Sequence, residues 1–267
     1  MATTQQLKTV NGEVVEIELG SAADINSFFV FCLHKSGSTL LNKMLLEICA
    51  LTGVPVFQPE DLEFRNGFTI GSWDPGIQSL FVKDGFCYTS FRSYPPYLDD
   101  FDMSVFKKIL LVRDPRDMVV SHYFSHKTSH KIPKGNLGEK MQAWREKVAT
   151  MTIDDYAIWA SKNAQRQFQR YISHIFDENL KVFRYEDVIF EKRQWLEDLL
   201  DFVQIDIGKQ EIYRIADKHD IRPDEEDASR HIRRVTPGDH KEKLKPETIV
   251  ELNDIFSEEL DRFGYAA

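Results

Sequence analysis

A strand, a tight turn and a helix follow one another over residues 28–51, and no other stretch of the chain constrains the fold as strongly. Residues 28–33 form an unbroken apolar run, which is typical of a strand buried on both faces of a sheet. Residues 34–39 are small, polar and basic, and from Leu40 onward apolar residues recur at helical spacing. Such a turn directs backbone N–H groups and a helix N-terminus at one point, so it predicts a site for a phosphate-like anion.

The turn also carries side chains that suit an anion. Gly37 permits close approach of the backbone, Ser38 and Thr39 supply hydroxyl donors, and Lys35 adds a positive charge on a flexible stem. The pattern is not a Walker A loop, because Lys35 precedes the only glycine of the turn. We hypothesise that the turn holds a phosphate-like group on which Lys35 acts. An ordinary turn with a solvated lysine is the alternative at this point.

Composition narrows the class of protein. The chain has 267 residues, of which 42% are hydrophobic and 29% charged, as in ordinary soluble domains. Its net charge of −9 argues against a general nucleic-acid partner. The three cysteines lack metal-ligand spacing, which favours buried thiols in a reducing compartment. The N-terminus lacks the apolar core of a signal peptide and no run of about 18 apolar residues occurs, so we expect a soluble cytoplasmic protein without a membrane partner.

Strand and helix patterns alternate along the rest of the chain. Further strands are predicted at 54–57, 85–91, 108–112 and 181–183, with helical patterns between and after them. Because no repeat or long linker divides the chain, we predict a single α/β domain over residues 1–267. It has a central, mainly parallel sheet of about five strands, helices on both faces and a P-loop-like phosphate-binding turn. Three segments are set apart from this core: an N-terminal extension or edge strand (1–25) and two mobile loops (125–150 and 218–245).

A second motif follows the predicted strand at 108–112. The sequence Arg113-Asp114-Pro115-Arg116-Asp117 leaves that strand, and Ser121 lies about one turn into the next helix. Arg113 and Ser121 could hold a second phosphate. Asp114 could instead be a Walker-B-like ligand for Mg²⁺, as in a nucleotide kinase or hydrolase, or the motif could be a salt-bridge cluster at a helix start. From these residues alone all three interpretations remain open.

Three motifs together resemble a known family. HKSGSTLL is similar to the 5′-phosphosulfate loop of sulfotransferases that use 3′-phosphoadenosine 5′-phosphosulfate (PAPS). RDPRDMVVSHY resembles their 3′-phosphate motif, and RRVTPGDHK resembles their late R-K-G-x-x-G-D-W-K segment. The motifs occur in the family's order, and the resemblance spans residues 28–265. It implies one sulfotransferase domain that moves a sulfuryl group from PAPS to a small-molecule acceptor, a hydroxyl in preference to an amine, and releases adenosine 3′,5′-bisphosphate (PAP).

The resemblance also implies roles for single residues. Lys35 is expected to contact the bridging oxygen and the transferring sulfuryl group, and Tyr185 to lie near the adenine. No metal is required. The remaining expected contacts are with the two phosphates: Ser36, Gly37, Ser38 and Thr39 for the 5′-phosphate, and Arg113, Ser121, Arg233 and Arg234 for the 3′-phosphate.

The chain departs from the family where the general base is concerned. Small-molecule members resemble one another in a K-T-H motif at the third strand, but residues 88–92 here contain no histidine. Glu60 lies near the place where the Golgi-type glycan enzymes have a glutamate. His122 and His126 (with His130) follow the 3′-phosphate motif, and histidine titrates near neutral pH. We therefore keep Glu60, His122 and His126 as candidate bases.

Other departures and alternatives bear on the function. Leu40 replaces a frequent tryptophan of the loop, Val235 replaces a glycine of the late motif, and His240 replaces its tryptophan. The alternatives are a Mg-ATP-dependent kinase that uses Asp114, and a nucleotide-binding module without catalysis. A set of aromatic residues is expected to line the acceptor pocket: Phe64, Phe68, Trp73, Tyr94 and Tyr97.

Overall fold

The computed structural model describes residues 3–129, 136–222 and 234–266. The strands are β1 (Thr3–Lys8), β2 (Val14–Leu19), β3 (Phe28–Cys32), β4 (Val56–Phe57), β5 (Cys87–Phe91), β6 (Lys107–Val112) and β7 (Leu180–Arg184). The helices are α1 (Ser38–Thr52), α2 (Pro59–Asn66), α3 (Pro115–Phe124), α4 (Asn136–Ala149), α5 (Ile153–Ile175), α6 (Tyr185–Val188), α7 (Lys192–Val203), α8 (Lys209–Lys218), α9 (Asp239–Lys243), α10 (Pro246–Ile255) and α11 (Ser257–Phe263).

Five strands form one parallel sheet in the order β4-β5-β3-β6-β7. Every residue of β3 and β5 is buried, which explains the continuous apolar sequence of β3. Along β3, side chains alternate between two clusters: Phe29 and Phe31 pack on one face, Val30 and Cys32 on the other. Helices α1, α7 and α8 cover the second face, and α5 covers the first. The predicted α/β fold with helices on both faces is confirmed.

The central strand β3 lies at the point where the strand order changes direction. From β5 at one side of β3 the chain crosses to β6 at the other side. In open α/β sheets a crevice forms beyond the carboxyl ends of the strands at such a switch point. The turn after β3 is therefore at the position where a ligand site is expected.

The N-terminal extension forms a sheet of its own. Strand β2 pairs antiparallel with β1 in a two-stranded sheet that is separate from the central sheet. Leu7 and Ile17 are buried in the main core and hold this hairpin in place. Residues 3–25 thus form an extension with its own sheet, because β2 finds its partner within them.

Helix α2 begins with Pro59 and is capped by Gly67, two residue types that favour helix ends. The two segments predicted as loops carry more helix than we expected. Within 125–150, residues Ser125–Ser129 form a π-helical turn and α4 follows, so the described part is not a loop. Within 218–245 the structure has α9, and His130 and Arg233 lie outside the described residues. The mobility of both segments stays a prediction.

The aromatic residues expected at the acceptor pocket serve mainly the core. Trp73, Tyr94 and Tyr97 are buried members of the cluster that contains Phe29 and Phe31, and Phe68 packs against that cluster. For these four residues the expectation is wrong, since hydrophobic burial is their role. None of the helices in the described ranges is long and apolar enough to cross a membrane.

Candidate active site

The turn after β3 is a rigid structure with a left-handed backbone. Ser36 is buried, and its hydroxyl donates to the Leu33 carbonyl at 2.7 Å while it accepts from the Leu33 N–H at 3.2 Å. Lys35 and Gly37 have φ angles of 67° and 97°. The Ser36 hydroxyl is therefore committed to the turn, whereas the first N–H groups of α1 have no carbonyl acceptor within their helix.

Gly37 makes room for Tyr185. A Cβ atom added at Gly37 would lie 3.0 Å from the Tyr185 ring, in a conformation that L residues rarely adopt. The Arg113 guanidinium lies over the same ring, 4.5 Å from its centre. The Tyr185 hydroxyl donates to the Val235 carbonyl at 2.9 Å. Tyr185 thus connects the turn, the 3′-phosphate motif and the late segment.

Arg113 is buried at the carboxyl end of β6. Its Nη1 donates to the Lys35 carbonyl at 3.3 Å and its Nη2 to Asp117 at 3.3 Å. Its Nε is buried without a hydrogen-bond partner among the described residues. A buried guanidinium N–H without a hydrogen-bond partner destabilises the protein. An anionic ligand that accepts a hydrogen bond from it would offset this cost.

The Asp114 carboxylate forms a salt bridge with Arg116. The Asp114 carboxylate caps α3 by accepting from the Arg116 N–H at 2.9 Å, and it accepts from the Arg116 guanidinium at 3.0 and 2.7 Å. Both residues are buried. No group of acidic, histidine or cysteine side chains suited to a metal occurs in the described ranges. This pairing supports neither a Mg²⁺ ligand at Asp114 nor the kinase interpretation that depended on it.

The late segment docks on α3 through Asp117. The carboxylate of Asp117 accepts from the Gly238 N–H at 2.7 Å and from the His240 N–H at 2.9 Å. Arg234 lies beside this segment and pairs with Glu242 and with Asp239.

One cleft collects most of the predicted ligand contacts. It opens at the carboxyl ends of β3 and β6 and extends to the late segment. The structure also places residues there that sequence reasoning missed, among them His34, Lys43, Arg92, Lys192 and His219. Arg92 directly follows β5, so the strand-end rule could have identified it. The predicted residues that line the cleft are Lys35, Gly37, Ser38, Thr39, Arg113, Ser121, Tyr185 and Arg234.

A second cavity adjoins the cleft and contains a row of histidines. The rings of His34 and His122 stack at 5.6 Å, and the rings of His122 and His126 lie 4.0 Å apart. All three line this cavity, which is otherwise mainly apolar and aromatic: Met118, Val119, Tyr156, Trp159, Ala160 and Ala164. We refer to it below as the histidine cavity.

Glu60 lies beneath the turn that follows β5. Its carboxylate accepts from the Arg92 N–H at 2.6 Å and from the Ser93 hydroxyl at 3.1 Å. Burial raises the pKa of Glu60 to about 7, against the opposing charge of Arg92. Glu60 is not among the described residues that line the cleft or the histidine cavity. The structure therefore does not bring it together with Lys35 and the histidines.

The fold and the cleft define an α/β domain with a cleft, lined by several basic residues, at the switch point of its sheet. The model of the sulfotransferase domain family matches residues 94–264, well over half of the chain. The chain belongs to the sulfotransferase family. No curated protein sequence matches it.

Solved structures of similar fold come from the same family and from a dehydratase. The chain is similar to the mouse sulfotransferase SULT7A1 complexed with PAP, with a TM-score of 0.60, 16% identity, and coverage of 90% of this chain and 85% of that one. It is also similar to retinol dehydratase in a complex with retinol and PAP, with a TM-score of 0.51, 15% identity, and coverage of 96% and 90%. At this identity the likeness supports the fold.

Proposed function

We propose that the protein transfers a sulfuryl group from PAPS to a hydroxyl of a small molecule and releases PAP; an amine acceptor is the less favoured form. One observation carries the proposal. The Lys35 turn and the Arg113 motif, 78 residues apart in sequence, line the same cleft in a member of the sulfotransferase family. Such a cleft has anion-binding groups at two separate positions, as a nucleotide with two phosphate positions requires.

The residues present fit PAPS. The unpartnered Nε of Arg113 suits an anion, and the residues at the start of α1 line the cleft. The α1 start with Gly37, Ser38 and Thr39 would hold the 5′-phosphate, and the Ser36 hydroxyl supports the turn from below. Arg113 and Ser121 would hold the 3′-phosphate, with Arg234 and Arg233 of the late segment. Tyr185 would lie against the adenine.

Lys35 and the backbone N–H groups of the turn assist the departure of the leaving phosphate. PAPS supplies an activated sulfuryl group when it is bound. Lys35 stabilises the charge that develops on the leaving phosphate, together with the N–H groups of the turn. No metal ion is needed for these roles.

The acceptor is proposed to enter the histidine cavity. The cavity adjoins the cleft at His34, the residue before Lys35. Its mainly apolar walls suit a small, largely apolar molecule that carries a hydroxyl. Structural neighbours have been crystallised with retinol and with androsterone, molecules of this general kind. The three buried free cysteines are consistent with a reducing, cytoplasmic setting.

Of our three candidate bases, His122 and His126 line the histidine cavity and Glu60 does not. Glu60 uses both carboxylate oxygens to support the Arg92 turn. His126 Nδ1 accepts from the Trp144 indole N–H at 3.1 Å and lies 2.8 Å from the Tyr156 hydroxyl. Because an indole N–H only donates, the proton of neutral His126 is on Nε2, and neither nitrogen offers a lone pair to the acceptor. His126 is then a positioning residue for His122.

Binding and turnover assays test the function in two steps. Calorimetry with PAP should give tight binding that EDTA does not change, and a screen of small phenols and alcohols with PAPS should give at least one sulfated product. Preference for Mg-ATP over PAP would refute the proposal in favour of a kinase. Tight PAP binding without product from any acceptor would favour the non-catalytic module.

A further inference from the structure

His34 is at the boundary between the two cavities. Of the described residues, it alone lines both the cleft and the histidine cavity. If PAPS lies in the cleft and the acceptor in the histidine cavity, the reacting oxygen and sulfur meet at this boundary. The next residue in the chain is Lys35, which lines the cleft.

The backbone around His34 is held rigidly. The Leu33 N–H donates to the Leu111 carbonyl at 3.3 Å, and the Ser36 hydroxyl bonds to both backbone groups of Leu33. The left-handed conformation of Lys35 then turns the chain toward α1. A residue clamped in this way keeps its position relative to Lys35, which is the condition for an oriented proton acceptor.

The neighbouring histidines support His34 from one side. His122 stacks on its ring with an interplanar angle of 13°, and His126 lies behind His122. His126 is itself held by Trp144 and Tyr156. The row therefore fixes the orientation of the His34 ring from within the histidine cavity.

We propose that His34 is the general base of the transfer, an inference that rests on the proposed function. The acceptor oxygen forms a bond to sulfur while the bond between sulfur and the bridging phosphate oxygen breaks. The acceptor hydroxyl proton passes to an imidazole nitrogen of His34, PAP leaves with the bond's electron pair, and His34 releases its proton to water. This assignment replaces the histidine that residues 88–92 lack.

The test compares His34→Gln, His122→Gln and His174→Gln in the full chain. His34→Gln should lower kcat by about 100-fold or more for an alcohol or weakly acidic phenol. It should leave PAP affinity within a factor of about two, because His34 contributes no phosphate contact in the proposed geometry. His174→Gln is the matched control: His174 stacks on Tyr94 and lines neither the cleft nor the histidine cavity.

Three further readouts separate a base from a structural residue. The loss of kcat in His34→Gln should be smaller for 4-nitrophenol, since a phenol that is already ionised needs no base. The pH profile of the variant should lack the acidic limb that the wild-type profile shows. Added imidazole should restore part of the activity of His34→Ala.

The inference is refuted if His34→Gln retains kcat within about threefold of wild type, or if His122→Gln shows the acceptor-dependent loss and His34→Gln does not. Either result leaves the proposed function intact, because wild-type turnover is measured in the same assay. Absence of wild-type turnover with every acceptor would refute the proposed function itself.

Discussion

The buried carboxylate of Asp117 receives hydrogen bonds from His240 through both the backbone N–H, at 2.9 Å, and the ring Nδ1, at 2.6 Å. The same carboxylate pairs with Arg113 at 3.3 Å. Although burial opposes its charge, the His240 hydrogen bond and the Arg113 charge keep the pKa of Asp117 below its usual range. One carboxylate therefore fixes the arginine of the 3′-phosphate motif and the late segment with respect to each other.

Asp117→Asn should weaken PAP binding and the fold together. The variant removes the charge that pairs with Arg113 and turns one acceptor oxygen into a donor that faces the His240 or Gly238 N–H. We expect PAP affinity to fall about tenfold or more and the free energy of unfolding by about 3 kcal/mol. Calorimetry and urea denaturation measure the two effects.

The difference in free energy of unfolding between wild type and Asp117→Asn should become smaller as pH falls below about 4. Because the folded-state pKa of Asp117 is lowered, its contribution is complete above an unfolded pKa of about 4 and is lost as pH falls further. The matched control is Asp217→Asn, which removes an exposed partner of Arg193 and should leave both measurements unchanged. Wild-type PAP affinity in Asp117→Asn would contradict the docking role.

Gly37→Ala should impair nucleotide binding. The new methyl group would lie 3.0 Å from the Tyr185 ring, and the ring would have to shift from its present position 4.5 Å from the Arg113 guanidinium. Backbone strain adds about 1–2 kcal/mol of destabilisation. Gly12→Ala is a close control, since Gly12 has a φ of 89° but nothing within 4 Å of its added Cβ. PAP titrations should show a loss of affinity for Gly37→Ala only; equal affinities would contradict the packing argument.

Lys35→Ala should separate chemistry from folding. We expect kcat to fall by about 100-fold to 1000-fold, because the variant loses a charge that stabilises the leaving phosphate. The thermal unfolding midpoint should stay near that of wild type, since Lys35 is only partly buried. Lys83→Ala, at an exposed position, provides the charge-matched control. Near-normal turnover of Lys35→Ala would refute the role given to this lysine.

Glu60→Gln should change the pH dependence of stability and spare turnover. Since burial raises the folded-state pKa of Glu60 from 4.5 to about 7, the folded protein takes up a proton in this window and wild-type stability declines as pH rises through it. The variant should lack this decline, which urea denaturation at several pH values would show. Its kcat should stay within about threefold of wild type, and a 100-fold loss would instead identify Glu60 as the base.

Much of the site could be predicted from the sequence because its anion-binding groups are local. Lys35, Gly37, Ser38 and Thr39 lie within one turn, and Arg113 and Ser121 lie at the two ends of one short strand-to-helix segment. Strands that are buried on both faces can be recognised as apolar runs in the sequence. Parallel strands bring their carboxyl ends to one edge of the sheet. Local pattern and topology together therefore predicted the cleft.

The sequence by itself determined the parallel sheet, the strand, turn and helix of residues 28–51, and the family. The tertiary structure alone decided which distant groups pair: His240 with Asp117, and the Arg92 turn with Glu60. For Asp114 it selected the salt bridge with Arg116 from the three interpretations that the sequence left open. It also placed His34 between the two cavities. The physical reason is that periodicity records which face of an element is buried, whereas a hydrogen bond between residues more than 120 positions apart depends on how whole elements pack.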